Sequence, residues 1–213
     1  MKEEIKIYSP KEESVNIRSH FIGLILSILG TIILLFKGAM TGTALSIVSY
    51  AIYGGSMILL YLASTLYHSA KDIENRKKLK VFDHASIYLL IAGSYTPFSL
   101  LVLKGAWGWS IFGVVWGIAT AGIILKLFFT GRFNILSTIG YVVMGWVAVV
   151  AIKPLIANFS TEGLILLLAG GIFYTVGAVL YSIKRIPYNH AIFHFFVLFG
   201  SLAIFLAIFL YTQ

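Results

Sequence analysis

The chain has no cysteine among its 213 residues, and this absence removes several kinds of chemistry at once. Thiolate metal ligands, disulfide bonds and cysteine nucleophiles are all excluded. Charge is also scarce, because Asp, Glu, Lys and Arg together make up 11% of the residues. Soluble domains carry about 25% charged residues. A separate soluble domain is therefore not expected.

What the chain does contain is apolar sequence, with 59% hydrophobic residues and a mean hydropathy of +0.94. Seven apolar stretches can be marked, and the short connections between them hold nearly all the charge. The stretches are residues 20–36, 44–67, 82–103, 107–129, 135–152, 163–183 and 190–211. Segments of this kind cross a bilayer as helices, because lipid offers the backbone no hydrogen-bond partner. The sequence predicts an all-α, polytopic integral membrane protein, with a tail at 1–19 and a seven-helix transmembrane domain at 20–213.

The distribution of Lys and Arg predicts how the helices are oriented. If the chain crosses the membrane seven times, thirteen of the sixteen basic residues lie on one side, and Lys37, Lys104 and Lys153 lie on the other. The positive-inside rule then places the N-terminus, with the 1–19 tail, in the cytoplasm and the C-terminus outside. Basic cytoplasmic loops also explain the net charge of +8, so no nucleic-acid partner is expected.

Histidines mark the ends of the apolar stretches on that same side. His68 ends the second stretch, Asp83 and His84 begin the third, and His190 and His194 begin the seventh. Ionisable groups at membrane depth are costly and usually functional. Because His190 and His194 are four residues apart, they share one face of a helix. Together with His68 they predict a three-histidine Zn²⁺ site near the cytoplasmic face, with a fourth position left for water.

Two further side chains belong to this prediction as candidate catalytic residues. Asp83 would accept the proton of an attacking water as a general base, and Ser64 lies one turn before His68 on the same helix face. Simpler interpretations stay open: Asp83 as a helix N-cap, Ser64 bonded to a backbone carbonyl, and His68 as an interfacial residue. His20 is interpreted as interfacial, with a position near the site left open, and His84 is expected to lie outside the ligand set.

Four short motifs follow one another along the chain. They are Glu13-Ser14-Val15-Asn16, Ser64-x-x-x-His68, Phe82-Asp83-His84-Ala85-Ser86-Ile87-Tyr88 running on to Gly93-Ser94-Tyr95-Thr96-Pro97, and His190-x-x-x-His194. In this order they resemble the progestin and adipoQ receptor family, in particular its bacterial hemolysin III branch. The resemblance implies a multi-pass protein of the bacterial plasma membrane with its N-terminus inside. It also implies zinc bound by the same three histidines, with Asp83 contacting a water there and Ser64 beside them.

The resemblance also extends to alkaline ceramidases, which are membrane amidases with a similar zinc set. It implies zinc-dependent hydrolysis of a lipid amide or ester, with a membrane lipid entering sideways from the bilayer. Two other functions stay open. One is a receptor or sensor of membrane state in which zinc is structural. The other is a pore-forming cytolysin, after the activity that named the branch. Glu13 and Asn16 are expected to brace the mouth of the site, and no protein partner is indicated.

Overall fold

The computed structural model describes residues 8–129 and 134–212, which are helical apart from short connections. The helices are α1 Pro10–Thr41, α2 Ala44–Ser69, α3 Ile73–Pro97, α4 Gly105–Phe129, α5 Asn134–Gly145, α6 Ile152–Asn158, α7 Thr161–Ser182 and α8 Asn189–Tyr211. A π-helical segment, Phe98–Leu103, continues α3, and a 3₁₀ segment, Val147–Ala151, joins α5 to α6. The predicted tail residues 1–7 and the basic residue Arg132 lie outside the described residues.

Seven helical units in the described part of the chain are long and apolar enough to cross a membrane. The π-helical segment extends α3, and α5 with α6 forms the fifth unit. The predicted all-α, seven-helix architecture is confirmed. The orientation of the termini remains a prediction, because it rests on the positive-inside rule alone.

Two helices begin well before their apolar stretches. α1 starts at Pro10 because the Ser9 side chain accepts a hydrogen bond from the Glu12 backbone N–H, and proline suits the first helical position. α3 starts at Ile73 because the Asp72 carboxylate accepts a 2.8 Å bond from the backbone N–H of Asn75. Asp72 is therefore the N-cap of α3, which leaves Asp83 inside the helix. Charged first turns prolong these helices beyond the hydropathy boundaries.

α3 changes its winding at Pro97. Proline has no N–H to donate to the preceding turn, and the helix continues from Phe98 to Leu103 as a π-helix. The segment ends at Lys104, whose backbone has a φ of 54°. Proline thus loosens the winding of the third span, and Lys104 connects the π-helical segment directly to α4.

The helices pack as a bundle in which α8 contacts both α7 and α1, and α2 contacts both α1 and α3. Its centre contains fully buried tyrosines of α2, including Tyr50 and Tyr53. Large apolar side chains such as Phe36, Phe128 and Val150 are exposed on the outside. Because lipid requires an apolar exterior, both the inward and the outward side of each helix are apolar. Burial, and not hydropathy, therefore distinguishes these two sides.

Candidate metal centre

Three histidines converge where α2 ends and α8 begins. His68 comes from the last turn of α2, while His190 and His194 lie one turn apart at the start of α8, and all three are buried. The Nε2 atom of His190 lies 2.9 Å from Nε2 of His68 and 3.0 Å from Nε2 of His194. Nitrogen ligands of a tetrahedral zinc ion lie about 3.3 Å apart, a few tenths of an ångström more than here. The three rings form a group that could hold a metal ion.

The hydrogen bonds of two rings fix which nitrogen carries the proton. Nδ1 of His68 lies 2.8 Å from a carboxylate oxygen of Glu13, and Nδ1 of His194 lies 3.3 Å from the backbone carbonyl oxygen of Asn16. Both of these oxygens can only accept, so each Nδ1 carries a hydrogen and donates it. In the neutral rings the two Nε2 atoms then keep their lone pairs and face the third histidine.

This arrangement provides too few hydrogens for the two contacts between the Nε2 atoms of the rings. The lone pairs of His68 and His194 both face Nε2 of His190, and that atom carries at most one hydrogen. A single N–H cannot donate a straight hydrogen bond to two acceptors. A metal cation between the rings would be coordinated by all three nitrogens. The donor set therefore fits a zinc ion, and the bonds to the outer nitrogens are those that metal-binding histidines commonly make.

The first turns of α1 supply the outer partners of the group. The second carboxylate oxygen of Glu13 accepts a hydrogen bond from the guanidinium of Arg76 in α3. The Asn16 side-chain amide donates a 3.3 Å bond to Glu13, and Ser19 Oγ lies 3.2 Å from Nδ1 of His194. Sequence reasoning missed the roles of Ser19 and Arg76. If α1 had been predicted to begin at Pro10, the three-residue spacing of Asn16 and Ser19 would have placed both on one helix face and indicated the role of Ser19.

Tyr8, just before α1, covers the end of the group. Its ring stacks on His190 with centroids 4.8 Å apart and lies 5.8 Å from the ring of His68. The residue is buried, and burial raises the pKa of its phenol, so the ring stays neutral. This aromatic cover separates the histidines from water at the end of the bundle.

Of the two interpretations of His20, the structure supports the position near the site and contradicts the interfacial one. Because α1 begins at Pro10, His20 lies about three turns inside the helix and faces the bundle interior. Its ring stacks on that of His194 with centroids 3.5 Å apart, and Tyr61 contacts it edge-on. Among the described residues, neither of its ring nitrogens has a hydrogen-bond partner. His84 lies outside the group of three, as predicted.

Ser64 and Asp83 line the same cavity as His190 and His194. Ser64 is buried, and its hydroxyl makes no hydrogen bond of normal geometry with any described residue, so the alternative of a bond to the preceding turn does not hold. Asp83 is also buried, and its carboxylate lies near the Ser64 hydroxyl and within electrostatic range of His68. The Ser64 hydroxyl and the Asp83 carboxylate thus lie beside the histidines, and neither belongs to the group of three.

The cavity has a volume of about 410 Å³ and changes character along its length. Its polar end contains the histidines of α8, and it extends past Leu90, Phe98 and Val197 as far as Ile204. From His190 to Ile204 this is about 21 Å along α8. Such a space can take a polar reacting group at one end and a hydrocarbon chain along the rest.

Fold and site together define a seven-helix membrane protein with a buried three-histidine group at one end of the bundle. A model of the family described as "Haemolysin-III related" matches residues 8–205, and the chain belongs to this family. Hemolysin-3 of Bacillus cereus is 49% identical over 202 residues, which cover 95% of this chain and 92% of the relative. The Hemolysin-3 homolog of Bacillus subtilis (strain 168) is 47% identical over 205 residues, covering 96% of each chain.

A more distant relative extends the comparison beyond bacteria. The human Monocyte to macrophage differentiation factor is 30% identical over 152 residues, which cover 68% of this chain and 63% of the relative. These matches confirm the resemblance to the progestin and adipoQ receptor family and its hemolysin III branch. Family membership and the seven apolar helices fit a multi-pass bacterial membrane protein.

Proposed function

We propose that the chain is a zinc-dependent hydrolase that cleaves an amide or ester bond of a membrane lipid. The observation that carries the proposal is one cavity that joins two of the three histidines, Asp83 and Ser64 to a long apolar space. The reacting carbonyl would lie at the polar end, which we place near the cytoplasmic face. The acyl chain would lie along the apolar part, reached sideways from the bilayer.

Zinc would be held by His68, His190 and His194. When bound, such an ion polarises a carbonyl and lowers the pKa of water to about 7. The protein keeps two of the three rings in the tautomers that can bind it, through the bonds from Nδ1 of His68 to Glu13 and from Nδ1 of His194 to Asn16. It also excludes bulk water with Tyr8 at the end of the group.

Asp83 moves the proton in this scheme. Its carboxylate takes a proton from the water that adds to the carbonyl carbon, and then gives that proton to the leaving nitrogen or oxygen as the carbon–nitrogen or carbon–oxygen bond breaks. One water is consumed, and a carboxylic acid and an amine or alcohol are released. The hydroxyl of Ser64, near Asp83, orients that carboxylate or donates to the developing oxyanion.

The proposal is tested with purified protein, metal analysis and a panel of ceramides, other N-acyl lipids and lysolipid esters. His194→Ala is expected to lose both zinc and turnover. Asp83→Asn is expected to keep zinc and lose about 10²–10⁴-fold in turnover. Asp72→Asn, the same change at the N-cap of α3, serves as the matched control and should keep full activity. Turnover that persists in a zinc-free variant would overturn the proposal.

A receptor or sensor of membrane state is the second candidate, because the proposed ligands connect α2 to α8. In that case zinc is structural, and the signal is a rearrangement of these helices. It predicts bound zinc, no hydrolysis across the lipid panel and no effect of Asp83→Asn.

The names of the Bacillus relatives bring cytolysis into consideration as well. A pore needs a polar path through the membrane, whereas the inner cavity of the described residues is mostly apolar beyond its histidine end. Release of a trapped dye from vesicles, rising with the amount of purified protein, would favour a pore. Vesicles that stay sealed would exclude it.

A further inference from the structure

The polar end of the inner cavity extends beyond the histidines, to the end of α4 and the beginning of α5. Lys126, in the last turn of α4, and His84, in α3, line the cavity there together with Tyr141 of α5. His84 is not part of the three-histidine group, and the hydrolysis proposed above gives Lys126 no role. Ionisable groups at membrane depth are costly and usually functional. These two side chains therefore define a second polar region of the same cavity.

The contact between α3 and α4 directs Lys126 into the cavity. A methyl group at Gly122 would collide with the ring of Tyr88, so these two positions mark the faces at which the helices meet. Lys126 follows Gly122 by one turn on α4, and His84 precedes Tyr88 by one turn on α3. Because the two helices run in opposite directions, Lys126 and His84 both lie one turn beyond that contact, towards the same end of the bundle. Lys126 is accordingly 4% exposed, whereas its neighbour Leu125 is 56% exposed.

Positive charge predominates in this region. Lys126 and Lys80 both lie within electrostatic range of the His84 ring. Among the described residues, Asp83 is the only acidic side chain that lines the cavity, and its charge interacts with His68 and Lys80. Positive charge in a cleft with apolar walls attracts ligands of the opposite sign. The region therefore favours an anionic group.

His84 adds a directional donor to this charge. An imidazole has at least one N–H in both its neutral and its protonated form. The backbone carbonyl of His84 accepts a 3.0 Å hydrogen bond from the Tyr141 hydroxyl, which connects α3 to α5 at this point of the cavity wall. The Lys126 ammonium and the His84 ring thus offer donors from two helices. Carboxylates and phosphates, which accept through several charged oxygens, form the strongest hydrogen bonds with such donors.

We propose that the lipid substrate has an anionic headgroup, and that Lys126 and His84 bind this group beside the reacting carbonyl. This inference rests on the function proposed above and names its substrate class. The substrate is an acylated amine or alcohol whose amine or alcohol part carries a carboxylate or a phosphate. Its acyl chain lies along the apolar part of the cavity. Water cleaves the amide or ester bond as described above, and the anion leaves with the amine or alcohol.

Two pairs of ligands with the same oleoyl chain test the proposal. N-oleoylglycine and N-oleoylethanolamine share an amide bond, and oleoyl lysophosphatidic acid and monooleoylglycerol share an ester bond. The first ligand of each pair is anionic and the second is neutral. Native mass spectrometry measures their binding to Asp83→Asn protein, in which we expect them to stay intact. The anionic ligand of at least one pair should bind about ten-fold more tightly, the effect of one charge-assisted hydrogen bond. A preference in the first pair alone identifies carboxylate as the ligand group, and one in the second pair alone identifies phosphate.

Variants made in the same Asp83→Asn protein assign the preference to this region. Lys126→Met keeps a long side chain without its charge, and it should lose the preference while binding the neutral ligands normally. Normal binding of those ligands shows that the cavity is intact. Lys126→Arg should keep the preference, and His84→Phe should reduce it several-fold. Lys78→Met removes an exposed lysine of α3 outside the cavity and is the matched control, expected to change nothing.

Equal binding of the anionic and neutral ligands in both pairs would overturn the proposal. Equal effects of Lys126→Met and Lys78→Met would also overturn it, as would a loss of neutral ligands in Lys126→Met as large as the loss of anionic ones. Turnover of the same four lipids by the protein with Asp83 intact separates this proposal from the hydrolysis itself. A preference that depends on Lys126 without any turnover would refute the hydrolase and leave the anion-binding region in place.

Discussion

Glu13 connects three parts of the molecule through one carboxylate. It lies in the first turns of α1, accepts from Nδ1 of His68 in α2 and pairs with Arg76 in α3. The side chain is mostly buried, so these bonds are less screened than a surface ion pair would be. The residue thereby fixes the tautomer of one proposed ligand and its orientation as well.

Replacing Glu13 by glutamine is expected to weaken zinc binding about 10–100-fold, the usual cost of losing an outer partner of a metal-binding histidine. The amide is neutral and holds the Nδ1 hydrogen of His68 less strongly. Zinc affinity is measured by competition with a fluorescent chelator. Glu12→Gln, one residue earlier on α1, is the control and should bind zinc like the wild type. Equal affinities in both variants would contradict this role of Glu13.

His20 provides a second prediction at the scale of single residues. Its ring packs against His194 and has no polar partner among the described residues, so phenylalanine should replace it at a cost within about 1.5 kcal/mol. Alanine leaves a cavity and should cost about 2 kcal/mol or more. Thermal unfolding and zinc content are measured for both variants. If His20→Phe unfolds normally but loses zinc, His20 is a ligand and the three-histidine set is incomplete.

At the scale of helices, two adjacent glycines of α2 offer a matched pair. A methyl group at Gly54 would collide with the side chain of Thr31 in α1, whereas a methyl group at Gly55 would meet nothing within 4 Å. Gly54→Ala should therefore destabilise the protein by about 1–3 kcal/mol through the α1–α2 contact. Gly55→Ala should be neutral or stabilise it by up to about 1 kcal/mol. Unfolding in detergent measures both, and equal effects would show that the two helices do not approach closely at Gly54.

Apolar length and charge predicted the helices well, because the bilayer allows few alternatives to a helix. They did not locate the polar starts of two helices. The N-caps at Ser9 and Asp72 let α1 and α3 begin about ten residues before their apolar stretches. That error had a consequence for the site. Glu13 and Asn16 were expected at the mouth of the site, but with α1 starting late they could not be placed on a helix face with Ser19. Their bonds to particular histidines were therefore not predictable.

The three histidines themselves were predictable, because a span count and an i, i+4 spacing suffice to bring them to one depth. Spacing cannot show which rings touch across helices, so the stacking of His20 on His194 needed coordinates. The same holds for Ser64 and Asp83, whose shared cavity depends on the packing of α2 against α3. Their catalytic roles remain predictions.

At the scale of the whole molecule, the absence of cysteine makes the membrane orientation testable. Lys71, between α2 and α3, and Glu162, at the start of α7, are both exposed and lie on opposite predicted sides. A single cysteine at either position is the chain's only thiol. On intact cells a membrane-impermeant maleimide should label Glu162→Cys and not Lys71→Cys, and lysis should make Lys71→Cys reactive. The reverse pattern would invert the predicted orientation.

The order of synthesis gives the position of His190 and His194 a biological meaning. Glu13, His68 and Arg76 leave the ribosome early, but two of the three proposed ligands belong to α8, which is synthesised much later. A nascent chain interrupted before α8 would have one ligand and a prepared outer shell, which is too little to hold an ion tightly. Metal binding at this site would therefore have to wait until α8 has been inserted beside α2.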